Sequence, residues 1–218
     1  INKDHAFDLL TKWIYDLCEE QGMINQSILK DKIINISKFL KGRESYHKKW
    51  FSVIQPIESL EINEKQKESL AISYYQGDSA KISHIHLNLD VKRLSKLTWM
   101  QKLHSEQNIL FIHGAAGQGK STLAYRYLHE FYPETWCFEI KLTENRMDAL
   151  ESALAISEHA SALDTPIFVY MDVSPHDSGW EELVKALSNH PKIRVLITIR
   201  EEDWKKSYIT GVDFSFHD

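Results

Sequence analysis

Three of the chain's eight glycines, Gly114, Gly117 and Gly119, fall inside one six-residue window. Just before it, Ile109, Leu110, Phe111 and Ile112 form an apolar run without alternation, the pattern of a parallel strand covered on both faces. Just after it, Leu123, Ala124, Tyr127 and Leu128 recur at helical spacing. A strand, a glycine-rich turn and a helix in that order open a βαβ unit, and the following residues repeat the alternation. Trp136 to Leu142 reads as a strand, Met147 to Leu163 as an alanine-rich helix and Ile167 to Met171 as a strand. Trp180 to Leu187 then reads as a helix, Ile193 to Ile199 as a strand, and Val212 to Phe216 as a weaker final strand. The expected fold class is α/β, a parallel sheet sandwiched by helices.

The turn itself carries chemistry. Gly114-Ala115-Ala116-Gly117-Gln118-Gly119-Lys120-Ser121 satisfies GxxxxGK[ST] at every defined position. Glycines let the backbone take positive φ and close around a phosphate without Cβ interference, so that successive N–H groups point inward. The helix that follows adds its N-terminal partial positive charge. Gly114, Ala116, Gly117, Gln118 and Gly119 are thus expected to form a backbone cradle, with Thr122 near an α-phosphate. Lys120 is expected to bridge β- and γ-phosphate oxygens of ATP, and the Ser121 hydroxyl to ligate Mg²⁺.

Such a loop needs a carboxylate at a nearby strand end to support the metal. Ile167-Phe168-Val169-Tyr170-Met171-Asp172 ends an apolar run in one, making Asp172 the Walker B candidate. A complete strand and helix separate the two motifs, which points to the additional-strand branch of P-loop NTPases. The next strand ends Thr198-Ile199-Arg200, again where ligands bind parallel sheets. Thr198 is a candidate sensor of the γ-phosphate or attacking water. Arg200 either pairs with the γ-phosphate or forms a surface ion pair with Glu201 or Glu202.

The first hundred residues read as helices. One amphipathic stretch carries Phe7, Leu10, Trp13, Ile14 and Leu17, and a second runs from near Asn25 to Gly42. A third covers roughly Ser45 to Ile54, until Pro56, and a fourth Asn63 to Tyr75. Ile85, Leu87 and Leu89 alternate with His84, His86 and Asn88, as in a short strand or extended linker. Asp90 reads as the N-cap of a helix that ends near His104. The domain division expected is a helical segment over 1–89 and an NTPase core over 90–218. The sequence opens on Ile1 and stops at Asp218 without a C-cap, and reads as an excerpt of a longer protein.

Composition excludes several classes. Lys and Arg total 26 against 31 Asp and Glu, a net charge of -5 that gives no general attraction to nucleic acid or anionic lipid. No apolar run approaches the ~20 residues that span a bilayer, and the first residues lack a signal peptide's basic and apolar regions. A cytoplasmic protein with no membrane partner is expected, and Cys18 and Cys137 read as two buried thiols. His84 and His86 read as surface residues rather than metal ligands, and Glu139-x-Lys141 as a coincidental likeness to a nuclease motif. The tryptophans read as core or interface anchors.

GAAGQGKSTLAYRYL at Gly114 to Leu128, PIFVYMDV at Pro166 to Val173 and LITIREEDW at Leu196 to Trp204 together resemble the STAND class of signal-transducing P-loop NTPases. The Arg-Glu-Glu-Asp-Trp continuation is similar to that of bacterial anti-phage, AVAST-type STAND ATPases. The likeness covers about Leu94 to Asp218. It implies an N-terminal effector, a central ATPase and a C-terminal sensor of helical repeats that recognises a phage protein. ATP-dependent self-association into a tetramer or another ring would then activate the effector. One departure stands out: Val173 occupies the place where many such ATPases carry a second acidic residue beside the Asp172 equivalent. Asp177, Glu201 and Asp203 are possible substitutes, and slow hydrolysis is expected. Competing readings are an AAA+-like or DNA-processing motor using Arg126, Arg146 or Arg194 as an arginine finger, a small-molecule kinase, and a non-hydrolysing ATP-binding scaffold. Arg93 is a further candidate for a place near the base.

Overall fold

The computed structural model describes residues 54–57, 62–133, 136–141, 146–163, 166–177, 179–209 and 212–215. The helices expected before Ser45 lie outside them, as do Cys18 and Trp50.

Among the described residues six strands form one sheet: β1 (Ile54–Pro56), β2 (Ile109–Gly114), β3 (Cys137–Ile140), β4 (Ile167–Asp172), β5 (Ile193–Arg200) and β6 (Val212–Ser215). Their spatial order is β1-β3-β4-β5-β2-β6. All neighbours are parallel except β1, which runs antiparallel to β3. The strand carrying the glycine loop, β2, is thus separated from β4 by β5. That insertion is the additional-strand arrangement expected from the sequence.

Among the described residues seven helices accompany them: α1 (Glu64–Tyr75), α2 (Ile82–His86), α3 (Leu94–Glu106), α4 (Lys120–Phe131), α5 (Arg146–Leu163), α6 (Trp180–Ser188) and α7 (Glu201–Trp204). Among the described residues no helix is long and apolar enough to cross a membrane. Strand side chains alternate between two buried layers, which is why the strands read as unbroken apolar runs. Phe111, Val169, Val195 and Ile197 pack with Leu183, Val184 and Leu187 of α6 and Ile156 of α5. Leu110, Ile112, Phe168, Tyr170 and Leu196 pack on the opposite face with Leu123, Tyr127 and Leu128 of α4 and Leu97 and Met100 of α3.

Three local expectations are corrected. Ile54–Pro56, expected as the end of a helix, is an edge strand paired to Phe138–Ile140; proline is tolerated there because an edge strand leaves some N–H positions unpaired. Ile82–His86 is a short helix rather than a strand, with Ile85 wholly buried in the α4 layer. His84 is accordingly buried, its ring 5.0 Å from that of Tyr74, and is not a surface residue. Asp90 does not cap α3, whose N-cap is Arg93. Its carboxylate is instead taken by a residue 36 positions away, Arg126 of α4, which donates Nε at 2.9 Å to Oδ2 and a second nitrogen to Oδ1. Arg126 also donates to Glu130 Oε1 at 3.1 Å and to the Ile85 carbonyl at 3.1 Å. The stretch preceding residue 90 is thereby fixed to the helix that follows the glycine loop.

Candidate functional site

Parallel pairing sets the geometry. Gly114 is in register with Arg200 across β2 and β5, and Asp172 with Thr198 across β4 and β5. The glycine loop, Asp172 and Arg200 therefore emerge from adjacent strands at one edge of the sheet, where open α/β sheets hold ligands. Gly117 (φ 76°) and Gly119 (φ 85°) are in the left-handed region, and a Cβ at either would meet nothing within 4 Å. Glycine is required there for backbone conformation, and the space over it is open. Gly119 is also the N-cap of α4, so the loop passes directly into the helix terminus.

The loop borders a cleft of about 590 Å³. Ala116, Gly117, Gly119, Lys120, Ser121 and Thr122 line one side. Asp172, Val173, Ser174 and Arg200 supply the strand ends, and Tyr74 with residues 77–80 of the α1–α2 turn closes the far side. That last wall was not foreseen; its sequence signal was only the Gly77-Asp78 turn. Two cradle candidates, Gly114 and Gln118, do not line the cleft. A smaller recess of about 130 Å³ beside Gly119 and Thr122 is bordered by Tyr74, Val91, Arg93 and Arg126.

Lys120 is buried, and its Nζ donates to the Ala115 carbonyl of its own loop at 2.8 Å. Burial lowers the ammonium's pKa, Asp172 pulls it back up, and the Arg200 charge pushes it down again. A cation held by one carbonyl, beside a glycine loop that runs into a helix N-terminus, is a donor set suited to phosphate oxygens. Ser121 Oγ donates to Asp172 Oδ2 at 2.9 Å, and Thr198 Oγ1 donates to Oδ1 at 2.6 Å. A hydroxyl and a carboxylate, both oxygen ligands, suit a hard divalent cation such as Mg²⁺ that keeps several waters. Among the described residues no group of three or more His, Cys, Asp or Glu is arranged to hold a metal.

Arg200 is exposed and borders the cleft. Glu201, its alternative ion-pair partner, is taken by His113 Nδ1 at 2.5 Å and Lys205 at 3.1 Å. The His113 hydrogen bond, and after it that of Lys205, holds the Glu201 carboxyl below the ordinary carboxylate range. His113 is stacked by Trp204, so α7 is pinned against the residue preceding the glycine loop. The sequence pattern did not reveal this pair, whose members are 88 positions apart.

Val173 packs in the α6-side core with Trp180 and Ile199. The proposed acidic substitutes do not line the cleft: Asp177 Oδ2 accepts from the Ser174 N–H at 2.7 Å, Glu201 pairs with His113, and Asp203 lies 3.9 Å from Lys206 with its buried Oδ2 unpartnered. Of the finger candidates, Arg126 is buried with Asp90, and Arg194 donates to the His104 and Gln107 carbonyls at 2.9 Å. The Arg146 side chain lies outside the described residues. The Glu139 carboxylate is hydrogen-bonded to Tyr125, which accounts for it without any nuclease role.

No curated protein matches the chain. Solved structures similar to it include two with TM-scores of 0.33 and 12% identity in each case. Rhizobiales Trip13 matches over 65% of this chain and 55% of its own, and C. elegans PCH-2 over 78% and 46%. The chain thus spans about half the length of either. The family model described as Novel STAND NTPase 5 matches residues 72–209, well over half the sequence, and the chain belongs to that family of STAND NTPases.

Proposed function

We propose that this chain is the ATP-hydrolysing core of a nucleotide-dependent oligomerisation switch. The observation that carries the reading is the meeting of Lys120, Ser121, Asp172 and Arg200 around one open cleft at the carboxyl edge of the sheet. Lys120 would leave its loop carbonyl to bridge the β- and γ-phosphates, and the loop N–H groups of Ala116, Gly117 and Gly119 with Thr122 would hold the remaining phosphate oxygens. Ser121 and Asp172 would hold Mg²⁺, which would supply charge neutralisation at the phosphates. Arg200 reads the γ-phosphate. The recess beside Arg93 and Thr122 supports a base or ribose position there.

The turnover step is slow in this reading. Val173 offers no proton acceptor, and none of Asp177, Glu201 and Asp203 lines the cleft. The ATP-bound state is therefore long-lived, as suits a switch. Its readout is self-association, in a bacterial anti-phage protein whose trigger binds elsewhere in the molecule.

The test is nucleotide binding by calorimetry combined with light scattering. Lys120→Ala should weaken ATP·Mg²⁺ binding on the order of 10- to 100-fold, the loss of a hydrogen bond to a charged group, while circular dichroism is unchanged. The parent chain should hydrolyse ATP more slowly than once per second and form larger species in ATP than in ADP. Wild-type affinity in Lys120→Ala would sink the nucleotide site. Rapid turnover would sink the switch.

A further inference from the structure

Tyr170 lies two residues before Asp172 on β4, so both side chains project to the α4 side of the sheet. It is almost wholly buried, and its ring meets that of Tyr125 edge-on at 4.9 Å. Its hydroxyl lies 3.0 Å from Thr198 Oγ1 and also contacts the Ser121 side chain. Thr198 is fully buried as well, with its Oγ1 2.6 Å from Asp172 Oδ1.

Counting protons fixes the direction of this chain. Ionised Asp172 only accepts, so the single hydroxyl proton of Thr198 is committed to Oδ1. Thr198 Oγ1 then has only lone pairs to offer Tyr170, and the phenol is the donor between them. Ser121 commits its own proton to Oδ2. The donors thus run from Tyr170 to Thr198 to Asp172 and from Ser121 to Asp172, while Asp172 and Ser121 both line the cleft.

We infer that Tyr170 is a positioning residue for the divalent cation: its buried hydroxyl orients Thr198, and through it Asp172, so that the cation finds a preset carboxylate. The inference rests on the reading of Ser121 and Asp172 as the cation site. It also moves Thr198 from sensing phosphate to supporting the carboxylate. Partners one shell behind a metal ligand fix its orientation, and their loss typically weakens metal affinity about 10- to 100-fold.

The experiment titrates Mg²⁺ into the protein with a fluorescent ATP analogue, alongside Mn²⁺ binding followed by electron paramagnetic resonance. Tyr170→Phe keeps the ring and removes only the hydroxyl. It should raise the half-saturating concentration of both cations about tenfold, leaving analogue binding in EDTA unchanged. Thr198→Val should behave alike, and Thr198→Ser, which keeps the donor, should titrate as the parent does. These two read out the relay even if Tyr170→Phe does not fold. Parent-like cation titrations in Tyr170→Phe, or in Thr198→Val, overturn the inference. Asp172→Asn separates it from the site reading. Loss of cation dependence there with none in Tyr170→Phe sinks the inference alone, whereas unchanged dependence in Asp172→Asn sinks the cation site itself.

Discussion

Arg200 and Glu201 are chain neighbours with opposite fates. Glu201 turns to His113 and Lys205, while Arg200 borders the cleft near Lys120 and Asp172. Two cations and one carboxylate leave that rim net positive, and in the proposed site Arg200 is the cation that meets the γ-phosphate. Arg200→Ala should therefore weaken ATP binding about tenfold and leave ADP binding nearly unchanged, as measured by calorimetry with each nucleotide. An equal loss for both would remove the sensor role. At this scale the glycine loop, Asp172 and Arg200 were legible, because each sits at the end of an apolar run. Tyr170 was hidden inside such a run, as one more large side chain. The two-residue strand period that puts it on the face of Asp172 was the signal that could have found it.

Elements were legible where their periodicity was long. The helices α4, α5 and α6 and the central strands carry enough buried positions for period and length to agree. α2 is five residues long, and over so short a stretch the alternation of His84, Ile85 and His86 fits strand and helix equally. β1 has three residues, one of them proline, and only its pairing with β3 defines it. The Asp90 error was of another kind, since a distant arginine outcompeted the local N–H groups of α3. Both members of that pair are nearly inaccessible, at 1% and 2% exposure. Removing one leaves a buried, uncompensated charge, so Arg126→Met should destabilise the protein by about 3–5 kcal/mol in urea unfolding. Arg126→Met with Asp90→Asn should recover part of that loss. Additive effects would mean that the pair does not join the segment to α4.

At the scale of the whole molecule, stability depends on pH through buried histidine. His104 lies between α3 and α4 with Nδ1 3.1 Å from the Tyr127 hydroxyl. Burial, then the Arg194 charge, lowers its pKa to about 4. An unfolded histidine titrates near 6.5. Between those values the unfolded chain binds a proton that the folded chain refuses, so stability is complete above about pH 6.5 and declines toward pH 4. His104→Gln should flatten that decline relative to the parent by roughly 3 kcal/mol at most, read from urea midpoints between pH 7 and 4. Identical slopes would mean that other groups set the acid response. The parallel direction of β2 to β6 followed from the βαβ alternation, and the separation of β2 from β4 from the spacing of the two motifs, whereas the antiparallel edge strand β1 did not. β1 is laid antiparallel beside β3 by residues that precede the family match at 72. A chain trimmed to that match would strip the cover from β3 and expose its backbone N–H and C=O groups to any passing strand. The natural starting point for recombinant expression is therefore upstream of Ile54, where the sheet carries its own guard against sticking to another copy.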